Sequence, residues 1–497
     1  MKRDISEYSE KNYDMIIIGG GIYGIMLALE GTRRKLKTLL LEKNDFCGNT
    51  SLNHLRTVHG GLRYLQSADL PRFFESVKER KWFLKYFPEY VNTMSCLMPL
   101  YGKGLHRNFI LRMALLLNDV LSITKNTGVP AKNKFQMGKI ISKKDIKNMY
   151  PKVDIEGLTG VAQWFDASMP EPQRLYMKII NKLEELGSVN LNYVKVTGLK
   201  KSADNKKVEG VIAKDIISGK EVGFNSPIVI NAAGPDSREI SSFFDKDYPE
   251  LFVKRLLLWN IMFDKESLSK SAIALNPVKG GGHTYFSHPL KNRFMVGTGE
   301  IIVEKGKDEL KVPEKEMNKF IDDLNKAVPE LNLTIKDVQR VYSGVIPASK
   351  NEKLSKRETI INHFENGGPQ GLYSLAGIKF TTSRLVAEKT IKKIITDKGG
   401  ISYDNIFPKT DSKDAFFPYD WMPKNEEDLK PLVDIIKKEK VFHLSDLILR
   451  RTSLGDNPKN AIEILPKIKH LFDFTEDEWQ GEINKLKGEI NICYDVV

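Results

Sequence analysis

The sequence contains few cysteines and no long apolar segment. Cysteine occurs only as Cys47, Cys96 and Cys493, with no CxxC pair and no histidines at zinc-binding spacing. Neither a disulfide framework nor a metal site is predicted, and a reducing, cytoplasmic compartment is expected. The chain lacks a run of about 18 apolar residues and an apolar signal sequence, so neither a transmembrane helix nor secretion is predicted.

The positive charge is not concentrated as it is in nucleic-acid-binding proteins. The chain has 77 Lys and Arg against 64 Asp and Glu, a formal net charge of +13. The basic residues interleave with acids, which indicates a solvated surface and no nucleic-acid partner. Basic clusters at 33–37 and 103–112 leave open peripheral contact with anionic lipid on the inner face of the membrane. The apolar stretch after Arg107 is by default a core helix and alternatively an interfacial helix.

The stretch YDMIIIGGGIYGIMLALEG places three glycines where a strand should meet a helix. The apolar residues Met15 to Ile18 predict a buried parallel strand, and a helical pattern begins at Ile22. Gly19, Gly21 and Gly24 fit G-x-G-x-x-G, in which glycine permits a tight turn, close approach to a pyrophosphate and packing of helix on strand. The helix start would face that anion with unpaired amides.

A second apolar strand, KTLLLE, ends at Glu42, which lies 18 residues after Gly24 (42 − 24). An acid at about this spacing binds the ribose hydroxyls of an adenosine diphosphate group, as in FAD or NAD. The alternative is an ordinary α/β turn with a solvent-facing Glu42. NAD is disfavoured because TSLNHLRTVHGGLRYL follows the strand, where NAD proteins would continue with a second βαβ half.

Later segments complete an α/β pattern. The strand PIVINAAG ends at Ala233 and Gly234, small residues that allow a nucleotide to approach the backbone. Patterns typical of strands return at about 251–341 and predict a sheet that covers a substrate. Another strand begins at Tyr373 and runs into a helix whose start carries three hydroxyls predicted to cap it: Thr381, Thr382 and Ser383.

Five motifs together resemble the FAD-dependent glycerol-3-phosphate dehydrogenases of the D-amino-acid-oxidase-like superfamily. They are the glycine motif with HGGLRYL, then IVINAAGPDS, VYSGVIPA, AGIKFTTSRLVAE and LSDLILRRTSLG. The HGGLRYL motif is highly specific for this family, whereas the glycine motif alone is not. The resemblance implies an α/β fold with a doubly wound FAD-binding domain, a mixed-sheet substrate domain and a C-terminal helical domain. The implied boundaries are 1–100, 155–250 and 340–398 for the FAD domain, 101–154 and 251–339 for the substrate domain, and 399–497 for the helical domain.

The resemblance also implies roles for individual residues around the cofactor. Thr50 and Ser51 match positions that contact the FAD phosphates, which suits their hydroxyls. Gly377, Lys379 and Thr381 match the segment that lies against the flavin ring. A cation and helix-start amides can stabilise negative charge there, so Lys379 is a candidate catalytic residue.

For the substrate, the resemblance makes His59 the candidate base that removes a hydroxyl proton. Arg63, Tyr64 and Arg357 match substrate-contacting positions, and two guanidinium groups imply an anionic substrate. Without the resemblance, His59 would be a core or surface histidine about as often as a catalytic one, and Arg63 an exposed helix charge.

Two positions depart from the family pattern. Ile346 replaces an arginine expected to bind phosphate, and Ile378 replaces a glycine beside the flavin. Because isoleucine cannot pair with a dianion, these two positions argue against glycerol 3-phosphate itself, and the expected substrate is a related anionic polyol phosphate or hydroxy acid. Hydride would pass from a secondary alcohol to FAD and then to quinone or oxygen. The alternatives are an amine or amino-acid oxidase and a noncatalytic FAD-binding protein.

Overall fold

The structure, a computed structural model, describes residues 3–243, 254–279, 283–304, 310–348, 357–377, 379–395, 399–407 and 416–491, so Ile378 and Cys493 lie outside the described residues. The strands are β1 Met15–Ile18, β2 Thr38–Leu41, β3 Thr57–Val58, β4 Asn92–Leu100, β5 Lys139–Ile141, β6 Gly160–Ser168, β7 Val189–Leu191, β8 Val194–Lys201, β9 Val208–Asp215, β10 Glu221–Asn225, β11 Val229–Asn231, β12 Lys254–Phe263, β13 Ala272–Leu275, β14 Tyr285–Leu290, β15 Arg293–Val303, β16 Val338–Ala348, β17 Thr359–Asn362 and β18 Leu372–Ala376.

The helices are α1 Ser6–Ser9, α2 Ile22–Thr32, α3 Leu62–Gln66, α4 Leu70–Tyr86, α5 Asn108–Leu121, α6 Lys143–Ile146, α7 Pro172–Glu185, α8 Ser237–Ser241, α9 Glu314–Ala327, α10 Ser383–Ile394, α11 Tyr403–Ile406, α12 Lys430–Lys438, α13 Pro458–Glu463, α14 Leu465–Ile468 and α15 Glu476–Asn491. A π-helical segment, Asp446–Arg451, and several short 3₁₀ turns complete the described secondary structure.

The first sheet carries the glycine turn. Within the described residues it has six strands in the order β17-β18-β11-β1-β2-β7, all parallel except β17. Met15 and Ile17 enter one core with α2, α7 and α10, while Ile16 and Ile18 enter a second core beneath the sheet β10-β9-β8. Both faces of β1 are therefore covered, which is why its four residues are all apolar.

The second sheet is mixed and has nine strands among the described residues, in the order β16-β12-β15-β14-β13-β4-β6-β3 with β5 beside β6. The predicted domain boundaries do not follow the edges of this sheet. Strands β3, β4, β6 and most of β16 belong to this sheet, although the boundaries assign their residues to the FAD domain. Strand pairing decides sheet membership, and no local pattern in these strands identifies their distant partners.

The C-terminal helices form a separate apolar cluster, which is joined to the loop after β2 by buried ion pairs. Asp45 accepts from Arg451 at 2.7 and 2.9 Å and from Arg450 at 3.0 Å, and Arg56 pairs with Asp456. Burial alone would raise the pKa of Asp45, but the two arginines lower it to about 2. Removing one partner of such a pair costs about 3–5 kcal/mol, so these helices brace that loop.

Helix α5 packs through one face and exposes the other. Leu111 and Leu115 are buried, but Phe109, Met113, Leu116, Leu117, Val120 and Ile123, just past its end, are exposed large apolar side chains. The default prediction of a core helix is therefore wrong for this face. Among the described residues, no helix combines the length and apolar character needed to span a membrane.

Candidate cofactor and active site

A cavity of about 300 Å³ opens beside the glycine turn between the two large sheets. Its walls come from the β1–α2 turn, the loop after β2, the end of β11, strand β16 and the turn before α10. Eight of the predicted site residues line it: Gly19, Gly21, Glu42, Thr50, Ser51, Ala233, Gly234 and Lys379. The chain thus gathers residues more than 300 positions apart around one space.

The glycine turn needs glycine for steric reasons. Gly19 has φ +106°, and a Cβ there would lie 2.7 Å from the carbonyl oxygen of Ala232. A Cβ on Gly24 would overlap the carbonyl oxygen of Gly19, so the close approach of α2 to β1 depends on this residue. The turn leaves a bare backbone cradle at the start of α2, which fits a pyrophosphate.

Glu42 follows directly after β2 and stands in the cavity wall. Its carboxylate accepts from the backbone N–H of Gly20 at 2.6 Å and of Asn44 at 2.8 Å. Burial raises the pKa of Glu42, and these two amides oppose that rise. Each carboxylate oxygen can accept a further hydrogen bond, so the carboxylate remains suited to the predicted ribose hydroxyls.

The hydroxyls of the loop after β2 hold the loop in place. Ser51 Oγ accepts from the backbone N–H of Ile22 at 2.9 Å, and Thr50 Oγ1 donates to the carbonyl of Val345 at 2.9 Å. Ser51 therefore caps the start of α2 and links the loop to the glycine turn. The predicted phosphate contacts of both residues remain predictions.

Lys379 stands at the other end of the cavity among aromatic and cationic groups. Its Nζ contacts the hydroxyl of Tyr64 and lies 4.1 Å from the centre of that ring, and the guanidinium of Arg72 lies 4.4 Å from the same centre. Burial and the charge of Arg63 lower the pKa of Lys379 to about 8. The predicted residues Arg63, Tyr64 and Lys379 thus form one group, which has a net positive charge.

His59 is not among the residues that line this cavity in the described part of the chain. It precedes α3, with its Nδ1 3.1 Å from Asp166 Oδ2 and its ring against Phe286. Asp166 is buried and also accepts from Gly60 N–H and Arg80, both at 2.7 Å. Burial would raise the pKa of Asp166, but His59 and Arg80 outweigh it and lower the pKa well below its usual range.

An ionised Asp166 can only accept, so Nδ1 of His59 carries a proton and Nε2 is left with its lone pair in the neutral ring. Sequence reasoning missed Asp166. The signal for it was the single charged residue in strand β6, GVAQWFDAS, because a lone buried carboxylate requires specific partners.

Arg357 lies apart from His59 and partly exposed. Its guanidinium nitrogens lie 3.9 Å from Asp69 Oδ1 and 3.6 Å from Glu75 Oε2, in a small pocket that Lys379 also lines. Ile346 lines the main cavity and packs against Leu256 and Ala348.

The turn before α10 departs from the prediction. Gly377 lies beneath the ring of Tyr23, and Thr381 is buried one residue before the N-cap. Thr382 is that N-cap but forms no side-chain capping bond, and the buried hydroxyl of Ser383 has no partner among the described residues. The predicted capping is wrong, because a hydroxyl at a helix start caps only when its rotamer faces the free amides.

Comparison with known proteins identifies the fold and the cofactor class. The model of the family described as FAD dependent oxidoreductase (DAO) matches residues 14–392. A glycerol-3-phosphate dehydrogenase from Synechocystis sp. is 29% identical over 412 residues, covering 79% of this chain and 71% of the relative. An alpha-glycerophosphate oxidase from Streptococcus pyogenes is 27% identical over 487 residues, covering 92% and 76%.

Among solved structures, the glycerol-3-phosphate dehydrogenase from Bacillus halodurans complexed with FAD superposes with a TM-score of 0.72. It is 20% identical, and the superposition covers 99% of this chain and 97% of that one. The predicted fold class is confirmed by this likeness, and FAD as cofactor is confirmed by the family match. The alternative of NAD is wrong.

Proposed function

The chain belongs to the family of FAD-dependent oxidoreductases, and we propose that it oxidises a small anionic secondary alcohol related to glycerol 3-phosphate to a ketone. The names of its relatives refer to that substrate class. The observation that carries the proposal is the positive group at one end of the cavity. There the charge of Arg63 lowers the pKa of Lys379, and the Lys379 ammonium contacts Tyr64. Such a group favours an anion.

The proposed roles combine the sequence predictions with the contacts around His59 and Lys379. Asp166 holds the His59 ring so that Nε2 would take the hydroxyl proton, while the carbinol hydrogen would leave with the C–H electron pair and the C=O bond would form. When bound, FAD supplies the hydride acceptor. The glycine turn, Glu42 and Ser51 would hold its adenosine diphosphate part. Lys379 and Arg63 would hold the substrate anion.

The proposal is tested by mixing the purified flavoprotein anaerobically with polyol phosphates, hydroxy acids and amines. Loss of visible flavin absorbance with an anionic alcohol, together with a carbonyl product and no ammonia, is the expected result. Ammonia release would replace the proposal with amine oxidation. Failure of every donor would favour a noncatalytic role.

We also propose that the exposed face of α5 binds anionic lipid on the inner face of the membrane, with quinone or oxygen as the final electron acceptor. Three basic residues are exposed beside its apolar residues: Lys103, Arg107 and Arg112. The surface therefore combines apolar side chains with positive charge. That pairing is typical of interfacial helices. An apolar face in lipid favours quinone, which is dissolved there.

The test is sedimentation with vesicles of stated composition. Wild type should bind anionic vesicles at low salt, detach at high salt and bind neutral vesicles less. Leu116→Glu should weaken binding by roughly 10- to 150-fold, because burying a leucine is worth about 1.5–3 kcal/mol. The matched control is Ile216→Glu, since Ile216 and Leu116 are both 48% exposed. Equal losses in the two variants would contradict the assignment to α5.

A further inference from the structure

One side chain links the two ends of the cofactor cavity. Tyr23, the second residue of α2, donates its hydroxyl proton to the carbonyl of Lys379 at 2.8 Å. The same oxygen accepts from the backbone N–H of Lys379 at 3.1 Å. A single hydroxyl therefore satisfies both backbone groups of a residue 356 positions away.

Gly377 makes this contact sterically possible. A Cβ on Gly377 would overlap the ring of Tyr23, so only glycine lets the ring lie across the turn. Tyr23 and Lys379 both line the main cavity and also the small pocket that contains Arg357. They consequently form part of the wall between the two spaces.

The side chain of Lys379 depends on where its backbone is held. Its Nζ contacts Tyr64 of α3, next to Arg63. A four-carbon stem has many rotamers, so a lysine keeps one position only when the backbone and the head group are both fixed. Here Tyr23 fixes the backbone and Tyr64 fixes the head group.

We propose that Tyr23 is a positioning residue, which holds the Lys379 turn at a fixed distance from the start of α2 and so keeps the Lys379 ammonium beside Tyr64 and Arg63. The value of this contact for catalysis rests on the proposed function, in which Lys379 holds the substrate anion. The contact between Tyr23 and the Lys379 turn can be tested without turnover of a substrate.

The direct test measures the pKa of Lys379 from the pH dependence of its acylation, followed by peptide mass analysis, in apoprotein and holoprotein. Wild type should give about 8, because burial and Arg63 disfavour the charged form. In Tyr23→Phe the turn is released, and the pKa should rise by about one unit or more toward 10.5. Gly377→Ala, which displaces the ring, should act in the same direction.

The matched control is Tyr13→Phe, which removes a hydroxyl that donates to the carbonyl of Tyr8 at 2.9 Å away from the cavity. This variant should leave the Lys379 pKa unchanged. An unchanged pKa in both Tyr23→Phe and Gly377→Ala would overturn the inference. A raised pKa with unaltered flavin reduction would support the contact and contradict the role of Lys379 in the proposed function.

Discussion

The two ends of the cavity are built on different principles. At the nucleotide end, backbone sterics dominate: Gly19 and Gly24 leave no room for a side chain, and Glu42 is fixed by two amides. At the reactive end, charged side chains from distant elements meet, among them Lys379 from the turn before α10. The first end should therefore determine how tightly FAD is held, and the second how fast and at what pH it is reduced.

The largest expected effect is at the reactive end, at His59. His59→Ala should slow flavin reduction by an alcohol about 10² to 10⁴-fold, the usual contribution of a positioned base, and should leave FAD content unchanged. Asp166→Asn should have an intermediate effect, since the ring stays but its orientation is no longer fixed. Rapid-mixing absorbance measures the rates. A full rate in the alanine variant would remove His59 as the base.

A change at the nucleotide end should show the opposite behaviour. Glu42→Ala should weaken FAD binding by roughly 10- to 150-fold, because hydrogen bonds to a charged group are worth about 1.5–3 kcal/mol. Flavin reduction, once FAD is saturating, should stay near the wild-type rate. Titration of apoprotein with FAD gives the affinity, and unchanged affinity would exclude Glu42 from the site.

A change at Ile346 tests which anionic substrate the cavity accepts. Ile346→Arg would add a cation to the cavity wall and should raise kcat/KM for glycerol 3-phosphate by roughly 10- to 150-fold, from the same 1.5–3 kcal/mol per charged pair. Ile346→Met controls for repacking against Leu256 and Ala348. A variant no better than wild type would show that the chain needs no arginine there.

The smallest expected effect is on pH dependence. The ammonium of Lys379 is present below its pKa of about 8 and is lost above it, so reduction by an anionic substrate should decline about tenfold per pH unit above 8. Lys379→Arg keeps its charge, so its decline should begin at higher pH. A decline at the same pH in both proteins would assign it to another group.

Much of the nucleotide end was readable from the sequence because it is local. The order of strand, glycines, helix, strand and acid lies within 28 residues, from Met15 to Glu42, and each step is determined by backbone conformation. Lys379 was found only through the resemblance, since a lysine on a turn carries no local signal. The contacts of Asp166 and Tyr23 required tertiary structure.

Two further features could not be predicted from the sequence: the strand partners and the exposed face of α5. Strand β4 pairs with β6 although α5, β5 and α6 lie between them in the chain, and the residues of β4 do not identify that partner. The apolar residues of α5 look like those of a core helix, because composition does not reveal which face another element covers. Only the packing of Leu111 and Leu115 distinguishes the buried face.

The most direct test of the central claim compares glycerol 3-phosphate with glycerol as anaerobic reductants of the bound flavin, in wild type and in Arg63→Met. If the reactive end selects an anionic alcohol, the phosphate should be preferred in kcat/KM by at least about tenfold for the charged contact, and the preference should fall in the variant while FAD stays bound. Equal rates for the charged and neutral alcohols in wild type would contradict the claim.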